Sequence, residues 1–276
     1  MDLATLAPDL VETQSGLWVA SDVDDVSYPE GGHARCHQLE ESSFWFRHRT
    51  RCIVATLRRL PPAGPVFDIG GGTGLLASHL VEAGFTPVVV EPGASGAATA
   101  HGRGLRPVVN ASLDTAGFLP GTLPGVGMFD VLEHIEDDEG FLVRLRSLLQ
   151  VGGRLYLTVP AYRWLWSADD VRAGHFRRYT EATLRVVLLR SGFGVQYASY
   201  IFRPLPLPVL AVRSVPSRLG FRTVDSTEAA VADHRSERGL LGRILEAALD
   251  REVPVVERGG RMRFGTSILA VAVNPD

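Results

Sequence analysis

Residues 67–74 read FDIGGGTG, a phenylalanine, an acid and an isoleucine running into four glycines in five positions. Glycine loses more conformational freedom on folding than any other residue. Four of them together are tolerated only where the backbone must turn through left-handed conformations or come close to something else. The segment behind them, TGLLASHLVEAG, has the apolar spacing of a helix and its own stop glycine at Gly84. A short strand, a glycine turn and a helix N-terminus in succession gather free backbone N–H groups around a bare turn, which is the opening unit of an α/β sheet with a ligand at its edge.

The rest of the chain continues that alternation. TPVVVE, RPVVN, PGVGMFDV and GRLYLTVP read as further strands, with helices at GASGAATAHGRG and DDEGFLVRLRSLLQVGG. Asp137, Asp138 and Glu139 favour the positive end of the second of these helices, and Gly152 and Gly153 are expected to stop it. TEATLRVVLLRSGF reads as a helix, and VQYASYIF and TSILAVAV as a sixth and a seventh strand. Strands and helices at this spacing predict a parallel, doubly wound sheet. Residues 1–30 show no periodicity and read as a loose arm, and 33–60 read as a helix ended by Pro61 and Pro62.

Composition narrows the partners. The 276 residues carry a formal charge of −3 and no lysine, with 45% hydrophobic and 21% charged residues, so there is no electrostatic case for nucleic acid. The longest apolar run, IFRPLPLPVLAV, is too short and proline-rich to span a bilayer; contact with a membrane surface and homodimerisation stay open. Two cysteines, Cys36 and Cys52, do not make a disulfide framework, and the opening segment lacks the apolar core of a signal peptide, so a cytoplasmic location is expected.

The spacing of the glycines selects the ligand. A dinucleotide site wants G-x-G-x-x-G, and counted from Gly70 its third glycine would fall at Leu75. The pattern present is D-x-G-x-G-x-G, with Asp68 two residues ahead of Gly70, then Gly72 and Gly74. A second acid, Glu91, closes the next strand, where a carboxylate can accept both ribose hydroxyls. A cationic amino-acid head, a nucleoside over bare glycines and no phosphate describe S-adenosyl-L-methionine.

The chain resembles the class I S-adenosylmethionine-dependent methyltransferases over about residues 40–200. The resemblance rests on DIGGGTG, VVVEPG, FDVLEHIEDD, LLQVGGRLYLTVP and GHFRRYT, while FWFRHR (44–49) and VPAYRWLWSADD look like a bacterial subgroup with small substrates. It implies a Rossmann-like seven-stranded mixed sheet in the order 3-2-1-4-5-7-6, last strand antiparallel, with helices on both faces. It also implies that Asp68, Gly70, Gly72 and Gly74 hold the methionine moiety and Glu91, with Pro92 beside it, the ribose. Ser112 and Leu113 would flank adenine, and Phe129 and Asp130 would line the methyl side. Phe46 and Arg49, on a helix folded over the cofactor, would reach it, Arg49 through the methionine carboxylate. The sequence departs from many relatives in having VVNASL where an Asp binds the adenine amino group; Ser112 is the nearest match. The implied organisation is an arm and helical cap at 1–62, a core at 63–202 and 263–276, and an insertion at 203–262 that closes over the acceptor or forms an interface.

Transfer to oxygen or nitrogen of a small-molecule acceptor also requires a proton to leave. His134, just past the fourth strand, and His175, in the loop after the fifth, are the candidate catalytic groups. Tyr162, Trp164, Trp166 and Tyr179 are candidates for an acceptor wall, and Arg178, with Arg177, for an acidic acceptor unless Asp169 and Asp170 claim them. His33, Cys36 and His37 have helical spacing compatible with zinc, but no second half accompanies them, and no metal is expected. Two other readings remain: a non-catalytic binding or regulatory member of the fold, and a nicotinamide-dependent oxidoreductase, against which Leu75 speaks.

Overall fold

A computed structural model describes residues 2–20, 43–221 and 240–276; His33, Cys36 and His37 lie outside them. Among the described residues one sheet of nine strands runs through the molecule: β1 Val11–Glu12, β2 Trp18–Val19, β3 Val66–Ile69, β4 Pro87–Val90, β5 Val108–Asn110, β6 Leu123–Phe129, β7 Leu149–Pro160, β8 Gly194–Ile201 and β9 Ser267–Val273. Their order is β1-β2-β5-β4-β3-β6-β7-β9-β8. The expected sheet had seven strands. The difference is the first pair, which the N-terminal arm adds beyond β5, with β2 parallel to it (Trp18 opposite Val109) and β1 antiparallel to β2. From β5 to β8 the order is that expected of the core strands, and β9 runs antiparallel to both β7 and β8.

The arm is therefore not loose where it is described. Its short helix α1 (Leu3–Leu6) is capped by Asp2, and Leu3, Ala7 and Leu10 are buried in the main core. Aperiodic sequence hid it, because two-residue strands and one helical turn are too short to show a repeat.

The central strands are buried on both faces, as a doubly wound sheet requires. Successive residues alternate between two cores: Phe67, Leu155 and Leu157 on one face, Val66, Tyr156 and Val271 on the other. The remaining helices are α2 Phe44–Arg59, α3 Leu75–Glu82, α4 Ala94–Gly102, α5 Asp138–Leu148, α6 Ala168–Ala173, α7 Glu181–Arg190, α8 Pro206–Val209, α9 Val215–Arg218, α10 Leu240–Asp250 and α11 Val253–Glu257. Helix α5 stops at Leu148, before Gly152, because Leu149 is already extended and pairs with Leu123; Gly152 and Gly153 lie within β7 instead.

Helix α2 is capped by Ser43 and buries Cys52, Ile53 and Leu57 against Leu76 and Leu80 of α3 and Val253 and Val256 of α11. The 203–262 segment thus divides. Residues 240–262 complete a core, while 203–221 pack on the loop after β7 through Ser214 to the Leu165 carbonyl (2.8 Å) and Arg218 to the Trp164 carbonyl (2.7 Å). Glu252 ties the two parts together. It accepts the backbone N–H groups of Phe202 (2.8 Å) and Arg203 (2.7 Å) and pairs with buried His48 of α2 (3.0 Å). None of the described helices is long and apolar enough to cross a membrane.

Candidate functional site

The carboxyl ends of β3, β4 and β6 meet at the glycine turn. Gly70, Gly72 and Gly74 have φ of +69°, +55° and +74°, so a side chain at any of them strains the backbone. They differ in what surrounds them. A Cβ on Gly74 would lie 2.8 Å from the Ala100 Cβ, and one on Gly70 2.8 Å from a Val131 methyl. A Cβ on Gly72 would meet no protein atom within 4 Å. Gly70 and Gly74 serve packing, and of the three only Gly72 faces open space.

Glu91 is buried at the end of β4. Its two oxygens accept the N–H groups of Gly72 (2.8 Å) and Gly93 (2.7 Å), which locks the acid to the turn. Asn110, at the end of β5, donates from its side-chain amide to the carbonyls of Glu91 and Pro92, both at 2.9 Å. Asp68 is buried beneath the turn, and its Oδ2 has no hydrogen-bond partner. Burial pushes its carboxyl up to about 7, with Arg49 opposing and Glu91 adding to the shift. An unpartnered buried carboxylate oxygen beside an open, side-chain-free turn fits a cation, and Glu91 beside it fits polyhydroxyl recognition.

Ser112 and Leu113 form the turn after β5, where Ser112 is bonded to Thr115 and Leu113 is buried in the core. Phe129 is buried in the other core. Asp130 follows it at φ +60°, accepting from Thr158 (3.1 Å) and from Arg49, whose guanidinium also lies 4.7 Å from the Trp45 ring centroid and 5.1 Å from that of Phe46. Arg49 is thus placed against Asp130, which was not foreseen. A cavity of about 270 Å³ between α2 and α3 is lined by Phe46, Leu75 and Arg103 among others, but by none of Asp68, Gly72 or Glu91.

The two candidate histidines, 41 positions apart in the chain, stand together past β6. Their ring centroids are 4.7 Å apart, at 85°. His134 closes a single 3-10 turn (Leu132–His134), and His175 follows the left-handed Gly174 that caps α6. His175 Nδ1 is 2.9 Å from Asp170, which also receives Arg178 (2.6 Å) and caps its own helix through Ser167. Burial pushes the Asp170 carboxyl up, but His175 and Arg178 outweigh it and hold it at about 2. Burial, then His175, lower His134 to about 4. Glu133 is fully buried, and burial, with Asp130 adding, raises its carboxyl well above the usual range.

The loop residues separate into two groups. Tyr162 stacks on Tyr200 (5.1 Å) and Trp164 (5.3 Å) and meets Phe264 at a tilt (5.6 Å), an aromatic column at the sheet edge; Trp166 is half-buried nearby in sequence. Tyr179 is buried and donates to Asp138 (2.7 Å), so it props the loop from below instead of forming a wall. Arg178 is taken by Asp170 and Arg177 by Asp138 (2.8 Å), the outcome in which neighbouring acids claim them, although Asp138 replaces Asp169. Sequence reasoning missed Asn110 and Tyr200, and it foresaw Asp170 as a partner for the arginines but not for His175. The Ser167/Asp170 capping box was the available signal for Asp170, and Asn110's place at a strand end for Asn110.

The family model of the methyltransferase domain matches residues 42–198, more than half of the chain. The chain belongs to that family. It is an S-adenosylmethionine-dependent methyltransferase. Among solved structures, the complex between the Trm112 methyltransferase activator and a methyltransferase from Haloferax volcanii matches at 18% identity and a TM-score of 0.56, covering 88% of this chain and 94% of that one. Phosphoethanolamine N-methyltransferase 2 from Haemonchus contortus, in complex with S-adenosyl-L-methionine, matches at 17% identity and a TM-score of 0.55 over 92% of this chain and 59% of that one. A methyltransferase from Thermotoga maritima matches at 13% identity and a TM-score of 0.53, covering 88% and 94%. Comparison with curated proteins gives no match.

Proposed function

We propose that this methyltransferase acts on an oxygen or nitrogen nucleophile of a small molecule, with the cofactor held between Asp68, the glycine turn and Glu91. The observation that carries the reading is the contrast at Gly72: a turn held by a buried acid, bare of side chains and open above. S-adenosylmethionine supplies an activated methyl group on a sulfonium. The chain's own residues do the holding. Asp68 offers its unpartnered oxygen to the ammonium group, and Glu91, already accepting two N–H groups, turns its remaining lone pairs to the ribose. Ser112 and Leu113 border the adenine side, and Phe129 and Asp130 the methyl side. Phe46 and Arg49 cover the cofactor from α2, Arg49 acting by holding Asp130 in place.

The acceptor lies past Asp130, where His134 and His175 are the polar groups through which its proton leaves and the Tyr162 column forms an apolar boundary. Residues 203–221 of the insertion, packed on that same loop, serve as its cover. Alignment does most of the work, since well-held reactants reach effective molarities of about 10⁵ M or more. Calorimetry with S-adenosylmethionine and S-adenosylhomocysteine tests the cradle. Binding of both is expected, and absence of both defeats the reading.

A further inference from the structure

The cluster beyond Asp130 contains more than two histidines. Glu133, His134 and His175 each offer one ligand atom, and the three atoms lie within 4.8 Å of one another. Glu133 is 1% exposed, and its Oε2 has no hydrogen-bond partner. A buried carboxylate oxygen left in this way is costly unless something else meets it. The neighbouring ion pairs do not. Asp130 is matched by Arg49 and Asp170 by Arg178, while Glu133 forms no ion pair among the described residues. The two guanidiniums at the cluster are each taken by another acid, and neither is left for Glu133.

The outer contacts of the imidazoles are of the kind that metal ligands show. His175 is held at Nδ1 by Asp170 (2.9 Å), which turns Nε2 away from that carboxylate, and His134 is hydrogen-bonded to the backbone of Ala173. A ligating histidine almost always has its other nitrogen fixed by a carboxylate or a backbone carbonyl.

We propose that Glu133, His134 and His175 bind a divalent transition-metal ion as a His₂Glu set with an open coordination position. The proposal rests on the placement of the acceptor at this edge, and it gives the histidines their part in catalysis. Two imidazoles and one carboxylate suit zinc and its first-row neighbours, and three protein ligands leave room for a fourth from the acceptor. An acceptor hydroxyl taking that position keeps its oxygen on the metal and gives its proton to solvent, because a bound Lewis acid lowers the pKa of the hydroxyl. The acceptor class is then one with an oxygen donor able to reach a metal, and the histidines act on the proton through the ion.

The test uses the full chain, stripped with chelator and titrated with Co²⁺ and, separately, Zn²⁺. Visible d–d absorption and metal content after gel filtration report binding without turnover. Stoichiometric Co²⁺ binding is expected, lost in Glu133→Gln and weakened at least ~10-fold in Asp170→Asn, which removes no ligand but disturbs the outer contact of His175 together with Asp170's bonds to Arg178 and Ser167. Binding should survive His33→Ala/Cys36→Ala/His37→Ala. Circular dichroism and S-adenosylhomocysteine affinity of each variant show that fold and cradle persist. No Co²⁺ spectrum in the wild type overturns the proposal, as does binding that survives Glu133→Gln or follows His33, Cys36 and His37. Loss of S-adenosylhomocysteine binding in the wild type would strike the cradle and leave the metal result to be read separately.

Discussion

Gly72 and Gly74 are two residues apart, share a positive φ and should fail in opposite ways when replaced by alanine. At Gly74 the added Cβ would stand 2.5 Å from Leu105 Cδ1, 2.8 Å from Ala100 Cβ and 3.1 Å from Ala100 Cα. The leucine can rotate, but the Ala100 backbone cannot, so α4 must move away from α3. Overpacking of that kind costs ~1–3 kcal/mol, and a left-handed non-glycine residue ~1–2 kcal/mol more. Gly74→Ala is expected to lose roughly 2–5 kcal/mol, with ~0.4–1 kcal/mol returned through the stiffer unfolded chain. At Gly72 no protein atom lies within 4 Å of the new methyl. Only the backbone strain remains, ~1–2 kcal/mol less the same return, a melting shift of a few degrees.

The order reverses for ligand binding. If the open space over Gly72 belongs to the cofactor, the methyl group meets ligand atoms and the overpacking term, ~1–3 kcal/mol, appears there, as about a 5- to 150-fold weaker Kd. Differential scanning calorimetry measures the first quantity. Titration calorimetry with S-adenosylhomocysteine, at a temperature where both variants are folded, measures the second. A Gly72→Ala protein that binds as the wild type does would refute the reasoning, because the bare face of the turn would then not be the ligand's.

Three further outcomes follow from the same geometry. Glu91→Gln keeps the shape but can accept only one of the two N–H groups held at 2.8 and 2.7 Å; a loss of ~1–3 kcal/mol in stability is expected, together with weaker S-adenosylhomocysteine binding, and intact affinity would remove Glu91 from the ribose. Asp68, raised from 3.8 to about 7, binds its proton more tightly folded than unfolded, so the apo-protein should lose stability as pH rises from about 4 to about 7. Asp68→Asn should flatten that part of the melting-temperature profile, and an unchanged slope would place its cause elsewhere. Tyr179→Phe removes one buried hydrogen bond to Asp138 and should cost ~1.5–3 kcal/mol with the KM for acceptor unmoved; a raised KM without a melting shift would return Tyr179 to the acceptor wall.

What the sequence disclosed was whatever has a period or a tight local motif. Strands such as Pro87–Val90, apolar on both faces, and the acid-and-glycine turn carry their meaning in adjacent residues. The edge strands Val11–Glu12 and Trp18–Val19 carry none, because two residues cannot show alternation and their pairing depends on β5, some 90 residues away. The candidate cluster was half legible for the same reason. His134 and His175 stood out by position, but that they meet, and that Asp170 turns one of them, depends on Gly174 reversing the chain after α6. Arg49 offers the reverse case: its place on a helix ahead of the first core strand was foreseen, and its partner, a strand-end Asp130 held at φ +60°, was not.

The charges at this edge also say something about the acceptor. Arg49, Arg177 and Arg178 would each suit an anionic substrate by position, yet each already faces a carboxylate: Asp130, Asp138 and Asp170. Freeing one would strand a partly or fully buried acid, and breaking a buried pair costs several kcal/mol. An acidic acceptor would have to supply that energy before gaining from the contact. The exposed rings of Trp164 and Phe264, packed against Tyr162, ask for no such exchange, since covering them with an apolar surface is favourable in itself. On the proposed reading, the loop after β7 would discriminate by shape and apolar contact, while its arginines hold Asp170 and Asp138, and through Asp170 the ring of His175, in position.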